Sequence, residues 1–352
     1  MEIKKILEEY NAVKNNIGLF DFSIEGKIKV TGIGRIDFIN NLVSNDVKNL
    51  GEGNGVYAAF LDRFGKILSD CIIYKFNDFL LINLSIIGKN NIIKKLIEES
   101  KLAKTDVEDL SLKYALFSLQ GPKAIGLIES ILNTKLNLKN QYSCIIKKIV
   151  IDNNSNTEKN NNKKPNNNEN SNNEIEIIIT KNKRTTEDGY DTFVPAFYYK
   201  NFKNLLIEKG RDFGLKIISN DVFNILRLEA KIPLFGIDFD GKNIINEITE
   251  KAVDYEKGCF VGQEIVARIK NIAKGKTSKK LFYFEINSTT PIEKNTKIMK
   301  ENQEAGYITS SAFSFDLKKN VGFGFLFKEF YDEELFEVFS ENQKSGVRIF
   351  GF

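Results

Sequence analysis

Apolar and polar positions along this chain follow two periods, and the switches between them mark out its elements. Residues 1–18 carry helical spacing that runs to Gly18, and 27–30 then alternates as a strand into Thr31-Gly32. The helical period returns over 35–42, with Ile36, Ile39 and Leu42 on one face. Two strands are predicted over 55–61 and 67–74, joined by the turn Asp62-Arg63-Phe64-Gly65, then a strand over 79–84 and an amphipathic helix over 90–101. A strand over 114–119 is stopped by Gln120-Gly121-Pro122, and 123–132 turns Ile125, Ile128 and Leu132 inward as a helix. Strands follow over 145–151, 175–180 and 189–195, then a helix over 198–209 with Phe202, Leu205 and Leu206 inward. Ser219-Asn220-Asp221 supplies N-cap chemistry for a helix over 222–230, and 263–270 spaces Ile265, Val266 and Ile269 as another. From Phe282 onward, Phe and Gly with strand-like alternation predict a small separate β-barrel. Strands, helices and hairpins in this order define an α+β class with mixed and antiparallel sheets. No periodic repeat is visible.

Composition changes this picture at a few points. At 352 residues the chain suits two or three packed domains, and 42% apolar with 28% charged residues is an ordinary globular balance. Residues 152–173 are dominated by Asn, Lys and Glu; they cannot bury apolar surface and are expected to form a disordered loop. No apolar run is long enough for a membrane helix. The first ten residues mix charges with apolar residues and carry Glu8 and Glu9, unlike a signal or transit peptide, so a cytoplasmic protein is expected. The net charge of +4 is spread through the chain with acids close behind, which argues for a solvated surface and against nucleic-acid binding. Histidine is absent, which excludes Ser-His-Asp and Cys-His mechanisms and His-based metal sites. Cys71, Cys144 and Cys259 are scattered, with no Cys-x-x-Cys pair, so neither a disulfide framework nor a self-contained metal or cluster site is expected.

Four places concentrate chemistry. The first is Lys257-Gly258-Cys259-Phe260-Val261-Gly262-Gln263-Glu264, where two glycines flank a cysteine just before the predicted helix over 263–270. Helix amides and Lys257 would favour a thiolate at Cys259, and the glycines would let backbone approach a ligand. The bland alternative is that Cys259 is a small buried residue in a turn. Cys71 and Cys144 lie in apolar strands and read as core residues. The second place is Leu226-Arg227-Leu228-Glu229-Ala230, whose charges either are solvated or line a pocket. The third is Asp70, beside an apolar run, and the fourth is Asp188-Gly189-Tyr190-Asp191, opening a strand.

The octapeptide Lys257 to Glu264 resembles the K-G-C-[FY]-x-G-Q-E signature of the YgfZ family, within the glycine cleavage T-protein superfamily. The wider superfamily pattern is similar at Leu19-Phe20-Asp21-Phe22-Ser23, at Gly26 to Gly32, at Asn45-Asp46-Val47 and in the hairpin from Asp62 to Asp70. It continues at Leu119 to Pro122, at Asp188-Gly189-Tyr190, at Leu226 to Ala230, and in Pro233 to Asp240, which fits the P-x-x-G-x-D pattern. The resemblance implies three domains in a ring around a central tetrahydrofolate site. Residues 1–275 would form the folate-binding region, with two α+β domains and the 152–173 insert, and 276–352 the barrel.

Residue by residue, the resemblance puts Asp70 near the reactive pterin nitrogens. Asp191 stands where the superfamily has a Glu that hydrogen-bonds the pterin, one methylene shorter. Arg227 and Glu229 match helix residues lining the site, with Arg227 meeting a folate carboxylate or carbonyl. Tyr57 serves as an aromatic wall and Asn83 as a polar contact. The resemblance implies a folate-dependent factor for assembly or repair of iron–sulfur enzymes, including tRNA-modifying ones, with those clients or their assembly proteins as partners. The alternative is the aminomethyltransferase of glycine cleavage. Asp70 suits it, but the T-protein carries an acid where Cys259 stands and an Arg where Gln263 stands. A third reading is a pure binding module in which folate is a structural ligand.

Overall fold

The computed structural model describes residues 2–151, 173–272, 274–289, 292–340 and 343–350. The insert expected to be disordered lies outside these residues, except for Asn173, which opens a strand. The chain folds as two compact units. The first takes Met1–Ile24, Leu110–Lys183 and Glu187–Ser219; the second takes Glu25–Asp109, Arg184–Thr186 and Asn220–Phe352.

The first unit contains α1 (Glu2–Asn15), β1 (Ile17–Asp21), β7 (Tyr114–Gln120), α4 (Ala124–Leu132), β8 (Cys144–Ile151), β9 (Asn173–Lys181), β10 (Gly189–Pro195), α5 (Tyr199–Gly210) and β11 (Leu215–Ile217). Its strands form one mixed sheet in the order β11-β1-β7-β10-β9-β8, with β1 and β11 parallel and the other pairs antiparallel. Leu19, Phe117, Leu119, Ile177 and Ile179 pack with Leu127 of α4 and Phe202 and Leu206 of α5. Burying each such side chain contributes about 1.5–3 kcal/mol. Gly18 does not end the first helix as its spacing suggested. It sits inside β1, which passes so close to α1 that a Cβ there would lie 2.4 Å from Val13 and 2.8 Å from Ile218. Ser219 donates both its backbone NH and its hydroxyl to the Glu9 carboxylate, at 2.8 and 2.6 Å.

The second unit contains β2 (Gly26–Thr31), α2 (Arg35–Leu42), β3 (Asn54–Leu61), β4 (Ile67–Lys75), β5 (Phe79–Leu84), α3 (Ile86–Ser100) and β6 (Asp106–Asp109). It continues with α6 (Asn220–Glu229), α7 (Ile245–Ile248), α8 (Gln263–Asn271), β12 (Lys279–Ile286), β13 (Lys297–Lys300), β14 (Gln303–Ser314), β15 (Lys319–Phe327), β16 (Leu335–Ser340) and β17 (Gln343–Phe350). The order β3-β4-β5-β2-β6 makes an antiparallel sheet, and β12-β15-β14-β13-β16-β17 closes as a barrel. Helix α3 begins four residues before its expected start, because the Ser85 hydroxyl accepts the Ile87 NH as an N-cap. Strand β6 was not foreseen: three of its four residues are acidic, and only pairing with β2 makes it a strand. No helix among the described residues is long and apolar enough to cross a membrane.

The five-stranded sheet has two chemically different faces. On one, Ile28, Val30, Ala58, Phe60, Cys71, Ile73, Ile82 and Leu84 pack on Phe38 and Ile39 of α2 and on Ile92 and Leu96 of α3. Side chains alternate along a strand, so Tyr57, Asp70, Ile72, Asn83 and Lys27 share the other face.

Candidate functional site

Register assembles this second face into a site. Ile72 of β4 stands opposite Tyr57 of β3 and Asn83 of β5, and Asn83 stands opposite Lys27 of β2. The result is a row, Tyr57–Ile72–Asn83–Lys27, across four strands, with Asp70 two residues along β4 on the same side. Tyr57 donates its hydroxyl to Asp70 Oδ2 at 3.0 Å. Burial pushes the part-buried Asp70 carboxyl up to about 6; the Tyr57 hydrogen bond opposes the rise and the nearby Glu25 charge adds to it.

Glu25 forms the far edge of the site. Arg184 grips both its oxygens, Nη1 to Oε1 at 2.8 Å and Nη2 to Oε2 at 3.0 Å. Asn83 Nδ2 donates to Glu25 Oε2 at 2.9 Å and to the Gly26 carbonyl at 3.2 Å. Lys27, fully buried, donates its ammonium to the Glu25 carbonyl at 2.8 Å. Glu25, Lys27 and Arg184 were not singled out by the sequence reading. Lys27 left a signal, since a lysine alternating with Ile28 and Val30 has to lie on the face away from their core. Arg184 left none, because its partner is 159 residues away.

The octapeptide lies elsewhere in this unit. Cys259 is exposed, whereas Cys71 and Cys144 are buried, so the small-buried-residue alternative does not hold for it. Two sequence expectations need correcting here. The Lys257 ammonium does not serve the thiol: it is buried and donates to the carbonyls of Asn40, Val43 and Asn45 at 2.6, 2.8 and 2.7 Å. Burial pushes that ammonium down to about 8, with Asp46 and Asp254 acting the other way. The helix begins at Gln263, where its spacing put it, and Cys259 lies just before its first turn. Gly262 is a requirement of packing rather than of ligand approach: its φ is 83°, and a Cβ would lie 2.5 Å from the Asp62 carbonyl of the hairpin turn. A Cβ on Gly258 would meet nothing within 4 Å. Gln263 is half-buried and Glu264 exposed in the first turn of α8. Lys257 and the buried Phe260, under its ammonium at 5.3 Å, hold the loop on either side of Cys259.

Arg227 is not on a solvated face. It is wholly buried and bonds Asp238 Oδ2 at 2.7 Å, Asn224 Oδ1 at 2.9 Å and the Ile232 carbonyl at 3.1 Å. Its Nη2 has no hydrogen-bond partner. Glu229 accepts the Ser314 hydroxyl at 2.7 Å. Asp191 belongs to the first unit, on β10 between Ser118 and Thr180; it is wholly buried and accepts from Asn182 Nδ2 at 2.8 Å. Asp70, Tyr57 and Asn83 are thus brought together on one sheet face, while Arg227 is held by other partners and Cys259 stands exposed on its loop.

A mixed α+β chain with an antiparallel five-stranded sheet and a closed six-stranded C-terminal barrel defines a T-protein-like fold class. Residues 2–154 match the GCVT N-terminal domain, and 279–350 the glycine cleavage T-protein C-terminal barrel domain. The aminomethyltransferase of Thermosipho melanesiensis is 30% identical over 97% of this chain and 87% of its own length. That of Thermoanaerobacter sp. (strain X514) is 28% identical over 92% of this chain and 81% of its own. In fold, the chain is similar to the crystal structure of glycine cleavage system aminomethyltransferase T from Bartonella henselae. The TM-score is 0.82 at 19% identity, covering 99% of this chain and 88% of that one. The chain belongs to the glycine cleavage T-protein superfamily.

Proposed function

We propose that this chain binds tetrahydrofolate on the polar row of its five-stranded sheet and works on a one-carbon unit there, as an aminomethyltransferase does. The observation that carries this reading is Asp70. It is an acid set beside an apolar floor at Ile72, fixed through one oxygen by Tyr57, with Asn83 across the row. The donor set fits a flat, nitrogen-rich ring: an apolar surface for its face and polar groups at its rim. Bound tetrahydrofolate would supply the secondary amines that take up the one-carbon unit. Asp70, with its carboxyl at about 6, can receive and return a proton near neutrality. Tyr57 holds that carboxyl in place, and Asn83 orients the ring edge. Relatives named aminomethyltransferase support this reading over most of the chain.

A second reading, support of iron–sulfur enzymes through Cys259, is favoured by one observation. The thiol is exposed on a loop secured from both sides. Cys259 is expected to react with iodoacetamide in the native protein at least tenfold faster than Cys71 or Cys144. Burial raises Cys71 well above the ordinary thiol range, with the Asp70 charge adding to it. Peptide mapping of the alkylated chain reads this directly, and equal labelling of all three would remove Cys259 from consideration.

One pair of assays separates the readings. The first supplies a lipoyl carrier protein bearing an aminomethyl group, with tetrahydrofolate, and measures ammonia. The second measures rescue of tRNA thiolation in a YgfZ-deficient bacterium by wild type and Cys259→Ala. Ammonia released catalytically by both proteins supports aminomethyl transfer. No ammonia, with rescue by wild type but not by Cys259→Ala, supports the iron–sulfur reading and makes client enzymes the partners.

A further inference from the structure

Glu25 is a second carboxylate beside the polar row that the proposed reaction does not use. It is held from three directions: by the two-point grip of Arg184, by Asn83 Nδ2, and through its own carbonyl by Lys27. The Arg184 and Glu25 side chains are only 13% and 21% exposed, so the pair is weakly screened. A two-point guanidinium–carboxylate bond is strong and directional. Two nearby acids without such a counter-charge share a proton, and neither then has a titration of its own. The groups acting on Asp70 are Tyr57 from β3 and Glu25 from the segment before β2, and Lys27 of β2 lies on the same sheet face. Cys71, its neighbour along β4, belongs to the opposite face.

We propose that Arg184 is a positioning residue for the proton of Asp70: by gripping both oxygens of Glu25 it turns the second acid beside the row aside and counters its charge, so that proton exchange falls to Asp70. This rests on the reading of Asp70 as the acid that serves the folate amines. Arg184 itself touches no reacting atom in this scheme. It acts through Glu25, and Asn83 links Glu25 to the row on which the ring lies. The direction of the Glu25 effect agrees, since its charge adds to the rise at Asp70.

The test uses the intact protein with carbon-13-labelled aspartate and glutamate carboxyls, titrated by NMR without ligand. Asp70 in wild type is expected to titrate near pH 6. Arg184→Gln leaves Glu25 without its counter-charge and should move the Asp70 midpoint up by about half a unit to one unit. Glu25→Gln leaves Arg184 in excess and should move it down by a similar amount, and the double variant should return near wild type. Arg184→Lys keeps the charge without the fork and should move it less than Arg184→Gln. If Arg184→Gln is insoluble, Glu25→Gln and Arg184→Lys carry the test. Shifts in opposite directions for the two charge removals support the proposal; shifts in the same direction, or none, overturn it. Tetrahydrofolate binding is measured separately. Opposite shifts without folate binding would keep the proton relationship and remove the folate reading, while folate binding without the shifts would do the reverse.

Discussion

Arg227→Leu is expected to lower the stability of the second unit by about 3–5 kcal/mol, the largest loss of any single substitution considered. The reason is the partner left behind. Arg227 and Asp238 are both wholly buried and meet at 2.7 Å, so removing the guanidinium leaves a carboxylate in the interior without its counter-charge. Asp238 also accepts the Leu234 NH at 2.8 Å, the Thr309 hydroxyl at 3.2 Å and the Ser310 hydroxyl. It thereby joins α6 to strand β14 of the barrel, and losing the pair loosens that junction. Asp238→Asn keeps the shape but strands the positive charge, and it should also be strongly destabilising. The two changes together should fall short of the sum of the singles by about 1–3 kcal/mol, because both break one interaction. Urea unfolding followed by circular dichroism reads all three variants. A loss below about 1 kcal/mol for Arg227→Leu would mean that water reaches the pair.

Asp70→Asn is expected to act in the opposite sense and stabilise the protein at neutral pH by about 1–2 kcal/mol, after allowance for partial solvent contact. The folded carboxyl stands at about 6 because burial disfavours its charge. An unfolded aspartate titrates near ~3.9. Between these values the folded chain holds the extra proton. The stability that Asp70 contributes is therefore full below about 4 and is lost as pH rises through about 6. The amide carries no such penalty and can still accept the Tyr57 hydroxyl. The advantage of the variant should accordingly be present at pH 7–8 and vanish toward pH 4, as thermal unfolding at several pH values would show. An acid that weakens its own fold is commonly kept for function.

Local period made the elements legible, and register made part of the site legible. Helix α2 over Arg35–Leu42, strand β5 over Phe79–Leu84 and strand β10 over Gly189–Pro195 lie where their apolar spacing put them, because each pattern is complete in itself. Gly18 was misplaced because its requirement for small size comes from Val13 and Ile218, which no local spacing reveals. Asp70, Tyr57 and Asn83 could be gathered by resemblance, and the two-residue period then places them on one face. Glu25, Lys27 and Arg184 could not, since the grip of Arg184 crosses 159 residues. The same limit misdirected the reading of Lys257. A lysine beside a cysteine suggested thiolate support, but its three acceptors are backbone carbonyls of the 40–45 segment, which carry no side-chain signature.

The measurement that tests the central claim most directly is calorimetric titration of tetrahydrofolate into wild type and Asp70→Asn under anaerobic conditions at pH 7. The polar row predicts saturable binding to wild type, weakened about tenfold to a hundredfold in the variant, as expected for losing a charge-assisted hydrogen bond, while the variant remains folded and unfolds at a higher temperature. Equal binding by the two proteins, or no binding by folded wild type, would contradict the assignment of Asp70 to a folate site.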